Sequence, residues 1–126
     1  MQKIFQNIKN DILGKRYVLS VAYVSEKKSR EINRKYRKKN KPTNVLSFAL
    51  HKNEGELVLC RPLIAREAKK MKKPARAWLG FLVIHGMLHL KGLSHGAIME
   101  RLEERYLSRT KFYSSGKNRK KKARKN

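Results

Sequence analysis

The sequence predicts a single α+β domain in which helices pack against a small β-sheet. At 126 residues, the chain fits one domain with a sizeable core. Three apolar runs have the length of strands, and the segments around them carry apolar residues at helical spacing. We expect the domain to span residues 1–110 and to be followed by a basic tail at residues 111–126.

The first part of the chain predicts a helix, a strand and a second helix. Apolar residues recur at helical spacing over residues 4–13, and Gly14 ends this helix. Residues 17–24, rich in valine and tyrosine, are typical of a strand. Ser25 is suited to cap a basic helix over residues 26–36, because its hydroxyl can accept a hydrogen bond from the first turn.

The middle of the chain predicts two more strands and a helix. Apolar runs at residues 45–50 and 56–60 are joined by a polar connection of hairpin length, in which we expect His51 to be solvated. Pro62 suits the first turn of a helix that ends at about Met71. Together with the first strand, the two runs are expected to form the sheet.

The strongly apolar segment from Pro74 to Leu90 is the predicted central helix. Its apolar residues are distributed around nearly the whole circumference of the helix, as expected of a helix buried under a sheet and other helices. Gly92 is well placed to end this helix in a left-handed conformation. A last helix is predicted over residues 97–107. Its apolar stripe is expected to consist of Ile98, Leu102 and Tyr106.

Lysine and arginine dominate the charged residues. The chain has 33 Lys and Arg against 9 Asp and Glu, a formal net charge of +24. Such an excess predicts a polyanionic partner, with RNA or DNA ahead of an anionic membrane. The last sixteen residues are rich in Lys and Arg and contain no acid, so we expect a disordered arm that can order on RNA.

Cysteine usage and hydropathy bear on the cellular compartment. Cys60 is the only cysteine, so no disulfide can form within the chain and a reducing compartment is expected. No apolar stretch reaches the roughly 20 residues of a membrane span, and the N-terminal segment is unlike a signal peptide. We therefore expect a cytoplasmic protein in which Cys60 is a small buried side chain.

Three of the four histidines lie close together, at His85, His89 and His95. Two histidines four residues apart on a helix share one face, and a turn at Gly92 can bring the third back to meet them. Three neutral nitrogens without a nearby cysteine or carboxylate favour one zinc ion in tetrahedral geometry, with water in the fourth position. An open fourth position indicates catalysis more often than a structural role.

The residues around the histidines argue against a peptidase. A zinc peptidase helix would carry His-Glu-x-x-His, but Gly86 follows His85, and no acid occurs between Glu67 and Glu100. No general base is apparent either. Ser47 is either a hydroxyl that lines the site or a polar residue on the exposed face of its strand.

Two stretches of the sequence resemble the signature of the YbeY family. One is HGMLHLKGLSH at residues 85–95, and the other is NRKYR at residues 33–37, followed by PTNVLSF at residues 42–48. A third, weaker block is GELV at residues 55–58, and the order and approximate spacing of all three match. Ser94 departs from the family, which usually has an acid there, so we expect weaker orientation of a ligand.

The resemblance implies a metal-dependent endoribonuclease with a small mixed sheet. It implies metal ligation by His85, His89 and His95, with His85 and Arg37 as catalytic residues. The substrate would be single-stranded RNA, above all the precursor of small-subunit ribosomal RNA near its 3′ end, with ribosome quality control as the wider setting. The expected partners are ribosomal RNA and the ribosome, with a ribosomal protein or a GTPase as a candidate protein partner, and the expected state is a monomer.

The basic segment that contains Arg37 is suited to phosphate binding. A guanidinium fork matches two phosphate oxygens and stays protonated. Neighbouring cations would follow the RNA backbone with little base preference. These cations are Arg34, Lys35, Lys38, Lys39 and Lys41.

Two other functions remain open from the sequence. A non-catalytic RNA-binding factor of ribosome assembly would use the basic surface and a structural metal. A zinc peptidase or a small-molecule hydrolase is disfavoured by Gly86 and by the charge. For the endoribonuclease, either water or the 2′-hydroxyl of the RNA could be the attacking group.

Overall fold

Five helices and three strands make up the computed structural model, which describes residues 2–110. In chain order they are α1 (Lys3–Leu13), β1 (Val18–Tyr23), α2 (Glu26–Arg37), β2 (Val45–His51), β3 (Glu54–Leu59), α3 (Arg61–Met71), α4 (Ala75–Lys91) and α5 (Ala97–Leu107). The predicted α+β domain with a small sheet is confirmed. The predicted basic tail lies outside the described residues.

The sheet is mixed, and its central strand is the last in sequence. Strand β3 pairs in parallel with β1 and antiparallel with β2, so the order is β1-β3-β2. Leu57 and Leu59 on β3 are fully buried. Because β3 is covered on both sides by other strands, it carries the sheet's most buried side chains.

The turn between β2 and β3 is tighter than predicted. Pairing continues to His51 and Glu54, which leaves only Lys52 and Asn53 between the strands. His51 is therefore the last residue of β2, and its imidazole is largely exposed, as expected.

Helix α4 is the central helix, as predicted. It packs against α1, α3, α5 and strands β2 and β3. Gly86 lies where α4 meets the sheet, and a β-carbon there would lie 2.6 Å from Cδ2 of Leu57. The helix ends at Gly92, which has the predicted left-handed conformation with φ +109°.

Helix α5 buries Leu102 and Tyr106 of its predicted stripe in part, but not Ile98. Ile98 is 62% exposed, whereas Met99 is 1% exposed. The residue one turn after Met99 is Glu103, which is also buried. The sequence prediction was wrong at Ile98 because an acid occupies the buried face and obscures its apolar pattern.

Helix α2 and helix α4 lie on opposite faces of β2. The ring of Tyr36 on α2 packs edge-on against Phe48, with centroids 5.2 Å apart. The hydroxyl of Ser47, the preceding residue, donates to the carbonyl of Gly86 on α4. Neighbouring side chains of a strand point to opposite faces, so the strand separates the two helices here.

Buried polar side chains of α2 hold the loop that follows it. The predicted cap is present, since Ser25 accepts a hydrogen bond from the amide of Lys28. Ser29 bonds through its hydroxyl to both backbone groups of Thr43, and the amide of Asn33 donates to the carbonyl of Lys41 at 2.8 Å. The lysine-rich loop over residues 38–44 is thereby fixed to the helix.

Two expectations about the core and the membrane can be compared with the structure. Cys60 is buried, as predicted, and it immediately precedes α3. Among the described residues, no helix has both the length and the apolar character to cross a membrane.

Candidate metal centre

The fold brings the three clustered histidines together. Each of His85, His89 and His95 offers a ring nitrogen, and these nitrogens all lie within 4.8 Å of one another. His85 and His89 are half-buried on α4, and His95 is exposed on the segment between α4 and α5. The left-handed turn at Gly92 reverses the chain so that His95 returns to the face of α4 that carries the pair.

The hydrogen bonds of His85 and His89 define which of their ring nitrogens are free to bind a metal. Nδ1 of His85 lies 2.5 Å from Oε2 of Glu103, and Nδ1 of His89 lies 3.1 Å from the carbonyl oxygen of Leu93. A carboxylate and a carbonyl accept hydrogen bonds, so both Nδ1 atoms carry the proton and donate. In its neutral form, each ring therefore has its lone pair on Nε2.

The two Nε2 atoms are placed as ligands of one ion. They lie 3.2 Å apart. Two unprotonated nitrogens cannot hydrogen-bond to each other, and their lone pairs repel unless a cation lies between them. In a tetrahedral zinc site with Zn–N bonds of about 2.0–2.1 Å, two ligand nitrogens are separated by about 3.3 Å. The residues present therefore fit a metal ion.

The surroundings also keep His89 in the form that binds metal. Burial, followed by the proximity of His85, lowers the pKa of His89 below its ordinary value. A lower pKa means that the imidazole is neutral at neutral pH, and only a neutral imidazole can donate its lone pair.

Sequence reasoning missed Glu103, which contacts the centre from α5. Its carboxylate is the group that accepts the Nδ1 proton of His85. The contact joins residues 18 positions apart on two helices, so local spacing could not reveal it. The available signal was an acid one turn after Met99 on a face that otherwise packs into the core.

Ser94 and Ser47 differ in their exposure and in their hydrogen bonds. Ser94 is exposed and makes no hydrogen bond within the described part of the chain, so it does not orient a histidine here. Ser47 is half-buried and bonds to the carbonyl of Gly86 at 3.3 Å. It therefore lies at the contact between the sheet and α4, next to the residue that follows His85, and not on an exposed face.

The arginine and lysines assigned to phosphate binding are exposed on α2 and the loop that follows it. Arg37 is exposed and is the last residue of α2. Within residues 2–110, no hydrogen bond or ion pair joins Arg37 to the three histidines. The other cations form an exposed surface on α2 and the loop after it, composed of Arg34, Lys35, Lys38, Lys39 and Lys41.

The environment of Gly86 explains why a peptidase motif could not operate here. A zinc peptidase needs a glutamate directly after the first histidine. At this position even a β-carbon would lie 2.6 Å from Leu57 and 3.1 Å from the hydroxyl of Ser47. Because Leu57 is fully buried, a glutamate would displace α4 from the sheet.

Comparisons with known proteins agree with this arrangement. A family model described as Endoribonuclease YbeY matches residues 1–111. Endoribonuclease YbeY of Aromatoleum aromaticum is 45% identical over 98 residues, which cover 71% of this chain and 64% of that protein. The protein of the same name from Cupriavidus necator is 42% identical over 82 residues, which cover 61% of this chain and 41% of the relative.

A solved structure supports the same relationship. The solution structure of a protein from Thermotoga maritima aligns with a TM-score of 0.62 and 26% identity, covering 93% of this chain and 86% of that one. The fold and the histidine cluster define a small α+β protein with a candidate three-histidine metal site. The chain belongs to the YbeY family. It spans less than two thirds of the length of the two curated relatives described above.

Proposed function

We propose that this chain is a zinc-dependent endoribonuclease that cleaves single-stranded RNA. The observation that carries the proposal is the facing pair of Nε2 lone pairs on His85 and His89, with a nitrogen of His95 close by. The curated relatives are named endoribonucleases, which supplies the substrate class. We further propose that it acts in the cytoplasm, in maturation of the 3′ end of small-subunit ribosomal RNA and in ribosome quality control.

The proposed ligands of zinc are His85, His89 and His95, one ion per chain. When bound, zinc supplies a Lewis acid that lowers the pKa of water and polarises a phosphoryl oxygen. Arg37 supplies a second positive charge, because its guanidinium has no ion-pair partner among the described residues and can bind two phosphate oxygens. His85 and Arg37 are therefore the residues that we assign to catalysis.

The surface of α2 supports a single-stranded substrate. Its exposed cations can bind successive phosphates. Tyr36 lies among them and is 60% exposed, with the ammonium of Lys35 5.4 Å from its ring centroid. An exposed ring beside cations suits unpaired bases, which can stack on an aromatic side chain, whereas paired bases are already stacked.

Ribosomal RNA and the ribosome are the proposed partners. A net charge of +24 favours association with RNA at the ribosome. A ribosomal protein or a GTPase is the candidate protein partner, and the proposed state is a monomer.

Cleavage by matched histidine variants tests the proposed activity. Wild type, His85→Ala and His51→Ala are purified identically, loaded with zinc and incubated with a labelled single-stranded RNA. His51 is an exposed histidine outside the cluster, so its variant controls for the loss of an imidazole. We expect cutting by wild type and His51→Ala and none by His85→Ala. Equal cutting by all three would contradict the proposal.

The same assay distinguishes the two attacking groups and the competing function. An RNA with a single 2′-deoxy sugar at the cut position blocks attack by the 2′-hydroxyl but leaves attack by water intact. The assembly-factor alternative is favoured by the lack of any hydrogen bond or ion pair between Arg37 and the three histidines within residues 2–110. It predicts RNA binding that survives His85→Ala, no cleavage by wild type, and a filled metal site.

A further inference from the structure

Glu103 is a buried carboxylate to which the proposed function assigns no role. It lies on α5 with 8% of its surface exposed, and its Oε2 lies 2.5 Å from Nδ1 of His85. A buried carboxylate is costly unless it is hydrogen-bonded. Within the described residues, the hydrogen-bond partner of the Glu103 carboxylate is the imidazole of His85.

The bond to Glu103 differs from the bond that holds the neighbouring histidine. His89 donates to the neutral carbonyl of Leu93, four residues along the same chain segment. His85 donates to an ionised group on another helix, and such charge-assisted bonds are roughly twice as strong as neutral ones. A carboxylate on Nδ1 also makes the opposite nitrogen a stronger donor to a metal.

The position of Glu103 is fixed by the packing of α5. Met99, one turn earlier on the same face, is fully buried in the core, and α5 packs directly on α4. The carboxylate is therefore presented by a helix that the core holds in place. Its contact constrains both the rotation of the His85 ring and the choice of its protonated nitrogen.

We propose that Glu103 is a positioning residue of the metal centre, which holds His85 with Nε2 unprotonated and directed at the ion. The inference rests on the metal site of the proposed function. It also accounts for a site without an acid at position 94, because the orienting carboxylate comes from α5.

Zinc affinity of four variants tests the inference. Zinc is titrated into the full chain in competition with a chromophoric chelator, for wild type, Glu103→Leu, Glu103→Gln and Glu103→Asp. Loss of such an orienting partner costs about 10- to 100-fold in metal affinity. We expect a loss of that size for Glu103→Leu, and smaller losses for Glu103→Gln, which keeps an acceptor oxygen, and for Glu103→Asp, which keeps the charge. The control is Glu100→Gln, which removes an exposed acid from the same helix and should leave affinity unchanged.

A second measurement separates orientation from folding. Nitrogen NMR of the histidine side chains in the metal-free protein reports which nitrogen carries the proton. We expect Glu103→Leu, which has no acceptor for the Nδ1 proton, to change the His85 signals, while His89 keeps its proton on Nδ1 and thermal unfolding of the metal-free chain shows a folded protein. A purely structural role would leave the His85 tautomer unchanged in the variants that fold.

The outcomes distinguish this inference from the function on which it rests. If wild type binds no zinc, the proposed metal site and the role of Glu103 both fail. If wild type binds zinc and Glu103→Leu binds it as tightly, only the role of Glu103 is overturned. Loss of affinity together with a changed His85 tautomer in a folded Glu103→Leu would establish the positioning role.

Discussion

The hydroxyl of Ser47 on β2 donates a hydrogen bond of 3.3 Å to the carbonyl of Gly86 on α4. This bond marks the place where the central helix lies against the sheet. The accepting carbonyl belongs to Gly86, which is the residue that follows His85 in the chain. The position of His85 therefore depends on how closely α4 approaches the sheet. That approach is possible because Gly86 has no side chain.

We expect Gly86→Ala to destabilise the fold and weaken metal binding. The new methyl group would lie 2.6 Å from Cδ2 of the fully buried Leu57. Overpacking a core lowers the free energy of unfolding by about 1–3 kcal/mol, whereas the better helix propensity of alanine raises it by about 1 kcal/mol at most. Thermal unfolding and zinc titration measure the two effects.

A double-mutant cycle is the control for Gly86→Ala. Leu57→Val shortens the side chain that the new methyl group meets. If overpacking is the cause, the double variant loses less stability than the two single losses together. Additive losses would contradict the steric explanation.

Glu67→Ala is expected to loosen the contact of α3 with α4 and with the residue that precedes β2. Oε1 of Glu67 accepts hydrogen bonds from the amide of Asn44 at 3.0 Å and from the indole of Trp78 at 2.9 Å. Removing the acceptor leaves two half-buried donors without this partner, which costs about 1–3 kcal/mol for each that becomes unsatisfied. We expect a lower melting temperature and a change in tryptophan fluorescence.

The fluorescence change is specific because Trp78 is the only tryptophan. Its ring stacks on Phe81, and Phe81 stacks on His85, with centroid distances of 5.2 Å and 5.9 Å. Glu67→Gln keeps an acceptor oxygen and is the matched control. An emission spectrum of Glu67→Ala identical to that of wild type would argue against the role of this carboxylate.

The sequence predicted the elements better than it predicted their contacts. Helical periodicity, Gly14 and Gly92 placed α1 and α4, because those signals act over one or two turns. The order β1-β3-β2 could not be read from periodicity, which says which face of a strand is apolar but not which strand lies beside it.

The candidate site was likewise predicted where it depends on local spacing and missed where it depends on a contact between two helices. The spacing of His85, His89 and His95 on one helix and its following turn was sufficient to predict that they meet. Glu103 belongs to a later helix, and the predicted apolar stripe of α5 did not include it, although Leu102 and Tyr106 of that stripe do pack against the core. Periodicity does not say which residue of one helix meets which residue of another, so the contact of this carboxylate with His85 could not be predicted.

Replacing three lysines of the loop after α2 should weaken RNA binding and its salt dependence. The variant carries Lys38→Ala, Lys39→Ala and Lys41→Ala, all at exposed positions. Each phosphate contact to a single strand contributes about 0.7 to the slope of log affinity against log salt concentration. We expect a flatter slope and weaker binding in fluorescence anisotropy with a short RNA.

The matched control for the loop removes the same charge elsewhere. Lys69, Lys70 and Lys72 lie at the end of α3 and are also exposed. Alanine at these three positions lowers the net charge equally. If both triple variants lose the same affinity, RNA responds to total charge and the loop is not a specific phosphate-binding surface.

We expect Tyr36→Ala to weaken binding of single-stranded RNA by about 1–3 kcal/mol for one lost base stack. The ring is 60% exposed and is supported from one side by Phe48. Tyr36→Phe keeps the ring and should bind as wild type does. Tyr23→Ala is the control for an exposed tyrosine elsewhere, since Tyr23 is 52% exposed on β1 with the guanidinium of Arg61 over its ring.

The salt dependence of Tyr36→Ala separates stacking from charge. A neutral ring releases no counterions from RNA when it stacks on a base. Its removal should therefore leave the slope of log affinity against log salt concentration as in wild type, while affinity falls at every salt concentration. The lysine-loop variant should instead change the slope. Unchanged affinity in Tyr36→Ala would show that RNA is held on α2 by its phosphates without a stacked base at this ring.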